Sequence, residues 1–89
     1  MIRERDIEAK VVALAKKAGW LSYKFVSPSQ RGVPDRIFIR DGCVIFIEFK
    51  APGKTPTPLQ AATISKLRKA DCTVHVCDSV ESACNALWI

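Results

Sequence analysis

Acidic side chains on either side of a predicted hairpin could meet at one point and bind a metal ion. The dipeptide Asp41-Gly42 is well suited to a two-residue type I′ turn between antiparallel strands. Such a turn pairs Arg40 with Cys43, and counting outward along both strands then places Asp35 opposite Glu48. We therefore expect these two carboxylates to lie close together where the hairpin ends.

This pairing has an electrostatic cost that needs an explanation. Two carboxylates about 5 Å apart repel each other by roughly 3 kcal/mol at an effective dielectric constant of about 20. A shared proton or a cation could offset the repulsion, and we favour Mg²⁺, because phosphate oxygens can take its remaining coordination positions. Lys50 points the same way as Glu48 and could stabilise charge on a phosphate or lower the pKa of an attacking water. A solvated charge cluster at a sheet end is the alternative, and the spacing alone does not decide between them.

Side chains on two predicted helices could join this group. Gln60 falls inside the apolar stripe of a helix that begins at Thr57-Pro58, so we expect it to face the sheet; it can also close a capping box with Thr57. On the first helix, Glu8 lies at the edge of the apolar sector and Glu4 one turn earlier. Either acid could supply a further carboxylate, although the helix dipole alone also favours acids in a first turn.

A polar loop precedes Asp35 and offers groups that bind phosphate backbones. Ser27, Gln30 and Arg31 supply a hydroxyl, an amide and a guanidinium, and Lys54 flanks the other side after Lys50. These four residues are the candidate DNA contacts. The chain as a whole is basic, with 14 Lys and Arg against 9 Asp and Glu, a net charge of +5 and a pI near 9.3. This balance favours a polyanionic partner such as nucleic acid.

The hydrophobic pattern around these residues predicts an α/β fold. Apolar residues recur at three- and four-residue steps from Ile7 and stop at Gly19, which predicts a first helix. The predicted order is α-β-β-β-α-β-α, a mixed sheet flanked by helices, with a short C-terminal helix that begins at Asp78 and has Glu81 in its capping box. After the first helix, the predicted elements are strands at 20–26, 35–40 and 43–50, a helix at 58–70, a strand at 73–77 and a helix ending near 87.

Length and apolar runs limit the class of protein. With 89 residues we expect one domain spanning 1–89, with about 60–65% of the unfolded surface buried. The longest apolar run, 43–47, is far too short to cross a bilayer, and the charged first residues lack a signal core. We therefore expect no membrane association and a cytoplasmic location.

The cysteines leave one structural alternative open. Free buried thiols are the usual state of cysteines in such a chain. A zinc site built from Cys72, His75, Cys77 and Cys84 is a further hypothesis, although its spacings match none of the common zinc patterns.

Several of these segments resemble a known nuclease signature. Val33-Pro34-Asp35, then twelve residues, then Glu48-Phe49-Lys50 looks like the PD-(D/E)XK nuclease motif, and the order of elements is similar to that superfamily's restriction-endonuclease-like αβββαβ core. The resemblance is closer to the virus-type replication-repair nuclease (VRR-NUC) branch and covers nearly the whole chain. It rests on Glu8, on the segments 31–36 and 47–54, and on Pro58-Leu59-Gln60.

The resemblance implies a Mg²⁺- or Mn²⁺-dependent enzyme that cuts phosphodiester bonds in structured DNA. Small stand-alone members resemble Holliday-junction resolvases that act as homodimers, so branched DNA and a homodimer are expected. Two active sites related by a two-fold axis would suit symmetric cuts in a four-way junction. The residues implied to form the site are Asp35, Glu48 and the backbone carbonyl of Phe49 as metal ligands, Glu8 as a contributor through water, and Lys50 and Gln60 as catalytic residues.

Some assignments within the resemblance stay open. The family's helix-one acid could correspond to Glu4 instead of Glu8; we favour Glu8 because it lies further into the helix. Asp71 stands where members of the branch often carry glycine, which affects only the turn there. The alternative to an enzyme is a non-catalytic basic DNA-binding module, which would bind DNA in a salt-sensitive manner and cut none under any divalent ion.

Overall fold

The computed structural model describes residues 1–89 and has the element order that the sequence predicts. Three helices surround one four-stranded sheet, so the α/β prediction is confirmed. No helix is both long enough and apolar enough to cross a membrane. The elements are α1 (Glu4–Lys17), β1 (Leu21–Lys24), β2 (Arg36–Arg40), β3 (Cys43–Phe49), α2 (Pro58–Lys69), β4 (Thr73–Cys77) and α3 (Val80–Ala86).

The β2–β3 hairpin has the predicted turn and register. Asp41 and Gly42 have φ values of 51° and 79°, the two positive values that a type I′ turn requires. Arg40 pairs with Cys43, and the ladder continues outward in the same register. It ends one pair earlier than predicted, so that Asp35 lies just outside β2.

Strand order places the hairpin in the middle of the sheet. The order is β1-β2-β3-β4, with the first three strands antiparallel and β4 parallel to β3. α2 provides the crossover that a parallel neighbour requires. On the outer edge of β4, the guanidinium of Arg68 donates to the carbonyl of Val74 through Nε (3.2 Å) and Nη2 (2.7 Å).

The two faces of the sheet are covered differently. α1 and α3 pack on one face, where α1 residues such as Val11 and strand residues such as Phe38 and Ile47 are fully buried in a single core. α2 packs on the other side, against β4. Alternation along the strands puts Glu48 on this second face, because its neighbours Ile47 and Phe49 both point into the core.

One of the three helix starts differs from the sequence prediction. α1 begins at Glu4 and therefore carries both Glu4 and Glu8, as the sequence predicts. α3 is capped by Ser79, whose hydroxyl accepts from the N–H of Ser82, so the predicted capping box of Asp78 and Glu81 is wrong. Asp78 instead accepts a hydrogen bond from Gly53 in the turn after β3. α2, by contrast, has the predicted capping box of Thr57 and Gln60 with proline at its first position.

Candidate active site

Asp35 lies just beyond the last backbone pair of β2 and β3, and its side chain provides a hydrogen-bond acceptor for the end of β3. Its Oδ2 accepts a hydrogen bond of 2.8 Å from the N–H of Phe49, which fixes the carboxylate beside the end of β3. Continuing the ladder would pair Phe49 with Pro34, which has no N–H to donate. Burial raises the pKa of Asp35, although the hydrogen bond from Phe49 acts in the opposite direction.

Glu48 is a buried acid with only one of its oxygens paired. Its side chain is 2% exposed; Oε2 lies 3.3 Å from Nζ of Lys50, whereas Oε1 is buried without a hydrogen-bond partner. Burial and then the charge of Asp35 raise the pKa of Glu48 to about 7. A buried carboxylate oxygen without a donor is unfavourable, and a proton or a metal ion would satisfy it. This donor set fits a hard divalent cation, which prefers carboxylate oxygens.

Lys50 is held between Glu48 and the start of α2. Its Nζ donates to Oε1 of Gln60 at 2.7 Å, in addition to its ion pair with Glu48. The same Gln60 oxygen accepts from the N–H of Thr57 at 2.9 Å, which is half of the capping box. Gln60 therefore closes the predicted capping box of α2 and, in a contact that the sequence did not predict, holds the ammonium of Lys50.

Glu8 is engaged by two cations on the core side of the sheet. Its Oε2 accepts from Nε of Arg36 at 2.7 Å and from Nζ of Lys24 at 3.2 Å. Although burial acts to raise it, these two hydrogen bonds leave the pKa of Glu8 lower than usual. Lys24 and Arg36 are direct cross-strand partners, so Glu8 neutralises two like charges that would otherwise face each other. The charge of Glu8 also contributes to the raised pKa of Asp35, and the other oxygen of Glu8 is not engaged by either cation.

Glu4 is the other acid on α1 that interacts with the site. Loss of solvent around it and then the charge of Asp35 raise the pKa of Glu4, while Lys50 acts to lower it. Glu4 in turn contributes to the raised pKa of Glu48. The charge of Glu4 thus acts on both strand carboxylates and on the lysine, which keeps it a candidate for the helix-one acid.

The loop before Asp35 is fastened to α2 through its backbone. The carbonyl of Arg31 accepts from Oγ1 of Thr63 at 3.1 Å and from the side-chain amide of Gln30 at 3.0 Å. Gly32 has a φ of 82°, and a Cβ at this position would lie 3.0 Å from the carbonyl oxygen of Leu59. The loop backbone thus closes on the first half of α2 while the Arg31 side chain stays exposed.

The remaining candidate DNA contacts lie on either side of this site. Ser27 is partly buried at the start of the loop, and Lys54 is exposed in the turn after β3. That turn is held by the hydrogen bond from Lys54 N–H to the Ala51 carbonyl, 3.0 Å long, and by the contact of Gly53 with Asp78 at 2.9 Å. Lys54 is therefore presented from a defined turn close to Lys50.

Nowhere in the chain do three or more His, Cys, Asp or Glu side chains converge on a point where they could hold a metal. The zinc hypothesis is therefore wrong: Cys72 precedes β4, His75 and Cys77 lie within it, Cys84 is in α3, and the thiols are free. For a metal at Asp35 and Glu48, the same finding means that backbone oxygen or water has to complete the coordination.

Sequence reasoning missed three residues that support the site. Thr63 is buried and anchors the loop, while Lys24 and Arg36 hold Glu8. The alternation of Lys24 with Tyr23 and Phe25 predicts that the aromatic side chains face the core and the lysine faces solvent, so it gave no signal of the contact between Lys24 and Glu8.

Comparison with known proteins agrees with this architecture. No family model matches the chain. A protein called "Putative nuclease p44", from Acyrthosiphon pisum secondary endosymbiont phage 1, is 46% identical over 80 residues, covering 89% of this chain and 86% of that protein. A solved structure described as a VRR_NUC domain superimposes with a TM-score of 0.88 over 99% of this chain and 97% of its own, at 21% identity, which shows a shared fold. The chain belongs to the same family as this putative phage nuclease and has the fold of a VRR_NUC domain.

Proposed function

We propose that this chain is a metal-dependent endonuclease that hydrolyses phosphodiester bonds in DNA, with Mg²⁺ or Mn²⁺ as cofactor. The observation that carries the proposal is the buried Glu48, whose Oε1 has no hydrogen-bond donor although Asp35 and Lys50 stand beside it. Such an arrangement is costly for folding alone and useful for binding a cation.

Asp35, Glu48 and the carbonyl of Phe49 would hold the metal. The N–H and carbonyl of one strand residue point to the same neighbouring strand. Because the N–H of Phe49 donates to Asp35, the carbonyl of Phe49 also points toward the side of Asp35. The proline opposite Phe49 has no N–H for that carbonyl, which supports its availability as a ligand. A bound divalent ion would polarise a phosphate oxygen and lower the pKa of a coordinated water. Glu8 would contribute through a water.

Lys50 supplies the positive charge that a reacting phosphate needs. Its ammonium, 11% exposed as a side chain, is fixed by Glu48 and Gln60 and cannot move freely into solvent. A fixed cation at this point stabilises the negative charge that builds on the phosphate as the bond to the attacking oxygen forms. Gln60 acts through the lysine, by holding its Nζ toward the carboxylates.

DNA would enter between the loop before Asp35 and the turn after Lys50. The side chains of Arg31 and Lys54 are exposed on either side of the site, with Ser27 available for a further phosphate contact. Gln30, whose side-chain amide donates to the Arg31 carbonyl and to Thr63, would act by holding the loop that presents Arg31. The net charge of +5 supports the same assignment.

The substrate we propose is branched DNA such as a four-way junction, cut by a homodimer in the cytoplasm of a bacterium or of a phage-infected cell. The support is the resemblance of small stand-alone family members to junction resolvases, and the geometric need for two sites related by a two-fold axis in symmetric cutting. The chain's similarity to a phage protein called a nuclease agrees with this setting.

Cleavage of a substrate panel tests the proposal. Four-way junctions, flaps and linear duplexes are incubated with the protein in Mg²⁺, in Mn²⁺ and in EDTA. We expect metal-dependent cutting, strongest on the junction, and losses of at least about 100-fold in Asp35→Asn and Lys50→Ala. Asp41→Asn, in the turn at the far end of the hairpin, and Lys16→Ala, in the last turn of α1, are the matched controls and should cut normally.

Three results would contradict the proposal. Cutting that survives EDTA would exclude a metal-dependent mechanism, and wild-type rates in Asp35→Asn would exclude this site. Salt-sensitive binding without cleavage under any divalent ion would identify the non-catalytic DNA-binding module instead.

A further inference from the structure

A groove runs along α2, between this helix and the edge strand β4, and is here called the α2–β4 groove. It has a volume of about 360 Å³. It extends from the start of the helix to its last turn, which is about 12 Å at a rise of 1.5 Å per residue. The residues that line it are Pro56, Ala61, Ile64, Ser65, Arg68, Lys69 and Val76.

The excess positive charge of the chain is concentrated around this groove and the candidate active site. The segment 49–70 contains five Lys or Arg and no Asp or Glu, whereas the rest of the chain contains nine of each. Arg68 and Lys69 line the groove, while Lys50 lies in the active site and Lys54 in the turn after β3. The helix dipole alone favours cations in the last turn of α2 but does not account for the other two. A continuous excess of cations favours a polyanion that passes from the site to the groove.

The groove lies one strand away from the candidate metal ligands. Val76, which lines it from β4, is the register partner of Glu48 in the parallel β3–β4 pair, so both side chains project on the same face of the sheet. Neighbouring strands are about 4.8 Å apart. Ala61 lines the groove directly after Gln60, which holds Lys50. A DNA strand with one phosphate beside Glu48 therefore reaches the groove within about two nucleotides.

The polar side of the groove presents a fixed donor for a phosphate. The guanidinium of Arg68 donates to the carbonyl of Val74 through Nε at 3.2 Å and Nη2 at 2.7 Å, while Nη1 has no partner within the chain. These two hydrogen bonds fix the plane of the guanidinium before any ligand binds. Lys69 and Ser65 are exposed beside it. A guanidinium held in this way binds a phosphate oxygen with little further loss of side-chain entropy.

The apolar side of the groove favours an unpaired strand over a double helix. Ala61 and Val76 are exposed and Pro56 is partly exposed, on the same groove as the cations. Apolar side chains offer nothing to a phosphate but pack against a sugar or a base. A double helix keeps its bases stacked in its interior, whereas an unpaired nucleotide can place its phosphate and its base in one groove. A volume of about 360 Å³ is that of a small-molecule site and is too small for a duplex.

We infer that the α2–β4 groove binds unpaired nucleotides of the DNA strand that is cut, with Arg68 and Lys69 contacting their phosphates. The inference rests on the proposed function and refines its substrate: the strand separates from its complement beside the cut, as it does where a branch opens. The groove therefore selects DNA by the local absence of pairing rather than by base sequence.

Binding of forked DNA in EDTA tests the groove without relying on cleavage. A fork with two unpaired oligothymidine arms is compared with a blunt duplex of the same stem sequence by fluorescence anisotropy. We expect the wild-type protein to bind the fork at least about tenfold more tightly than the duplex. Lys69→Ala should weaken binding of the fork at least about threefold and change binding of the duplex little.

Lys66→Ala is the matched control. Lys66 is an exposed lysine in the same last turn of α2, but it does not line the groove. Its loss should weaken binding of both DNAs equally, by less than about twofold. Circular dichroism confirms that each variant is folded.

A neutral phosphate locates the contact on the DNA. Forks are prepared with a single methylphosphonate, which removes one phosphate charge, at successive positions of an unpaired arm. In the wild-type protein we expect weaker binding when the substitution falls within about two nucleotides of the branch. The same substitution should have no further effect in Lys69→Ala, because the contacting charge is already gone, and its full effect in Lys66→Ala.

Equal losses in Lys69→Ala and Lys66→Ala would overturn the inference, since only total charge would then matter. So would equal affinities of the wild-type protein for fork and duplex, or methylphosphonate effects that Lys69→Ala leaves unchanged. The nuclease proposal fails separately. A protein that binds forks through Lys69 but cuts nothing refutes the enzyme alone, and metal-dependent cutting without any preference for forks refutes the groove alone.

Discussion

At the scale of single residues, one amide oxygen joins the site to the start of a helix. Oε1 of Gln60 accepts from both Lys50 and the backbone of Thr57, so the cap that begins α2 also fixes the direction of the ammonium. This shared acceptor allows two mutations to separate helix stability from lysine orientation.

We expect Gln60→Ala to slow DNA cleavage about 10–100-fold and to cost about 1 kcal/mol of stability, because it removes both contacts. Thr57→Ala removes the hydroxyl half of the cap but leaves the hydrogen bond between Lys50 and Gln60, so it should cost similar stability with little loss of rate. Single-turnover cleavage and urea unfolding of the two variants make the comparison. Equal losses of rate would mean that Gln60 acts only through the helix.

The raised pKa of Glu48 predicts an unusual pH dependence of stability without metal. Because this carboxyl takes up its proton more readily in the folded chain, the folded state binds more protons between about pH 4.5 and 7. The free energy of unfolding in EDTA should therefore fall as pH rises through that window, by at most about 1.4 kcal/mol per pH unit. Glu48→Gln should flatten the slope, and Glu81→Gln, at an exposed acid of α3, should not. A stability that increases with pH in this range would contradict the prediction.

At the scale of elements, the site is assembled from pieces held by different kinds of contact. β2 and β3 are fixed by their turn, α2 by its cap, and the loop before Asp35 by its close approach to Leu59 and Thr63. Gly32 is critical for the close approach of the loop to α2, because its backbone has a left-handed conformation and lies too near α2 for a side chain to fit.

Gly32→Ala tests that close approach. The left-handed backbone should cost about 1–2 kcal/mol, and the clash with Leu59 roughly a further 1–3 kcal/mol. Gly53→Ala provides the control, because Gly53 has a similar φ of 78° but no atom within 4 Å of the added Cβ. Thermal unfolding should show the larger loss for Gly32→Ala, and equal losses would mean that the loop can move away from the helix.

The same elements show what the sequence could predict and what it could not. A two-residue turn fixes a register, so the approach of Asp35 to the end of β3 followed from counting, and the cap of α2 followed from three residue types. β1 and β2 are joined by a long loop that fixes no register, so the pairing of Lys24 with Arg36, and hence the role of Glu8 between them, was not predictable. Ser79 and Asp78 are equally good caps by type, and only the tertiary contact with Gly53 separates them.

At the scale of the whole molecule, the excess of cations predicts how DNA affinity responds to salt. Arg31→Ala should weaken binding and reduce the slope of log affinity against log salt by about 1, because one phosphate contact is lost. Lys16→Ala changes the net charge equally, in the last turn of α1, and should leave the slope nearly unchanged. Fluorescence anisotropy in EDTA gives both slopes without cleavage. Identical slopes in the two variants would mean that only total charge matters.

The contact of Arg68 with the Val74 carbonyl has a consequence for how copies of the chain can assemble. Strands at the border of a sheet can recruit strands from other molecules and grow into fibres without limit. The guanidinium of Arg68 donates two hydrogen bonds to the carbonyl of Val74 on the outer edge of β4, and it thereby obstructs the pairing of a further strand with β4. Open-ended growth of the sheet is thereby disfavoured, because a chain obstructed along β4 cannot add strands at both of its edges.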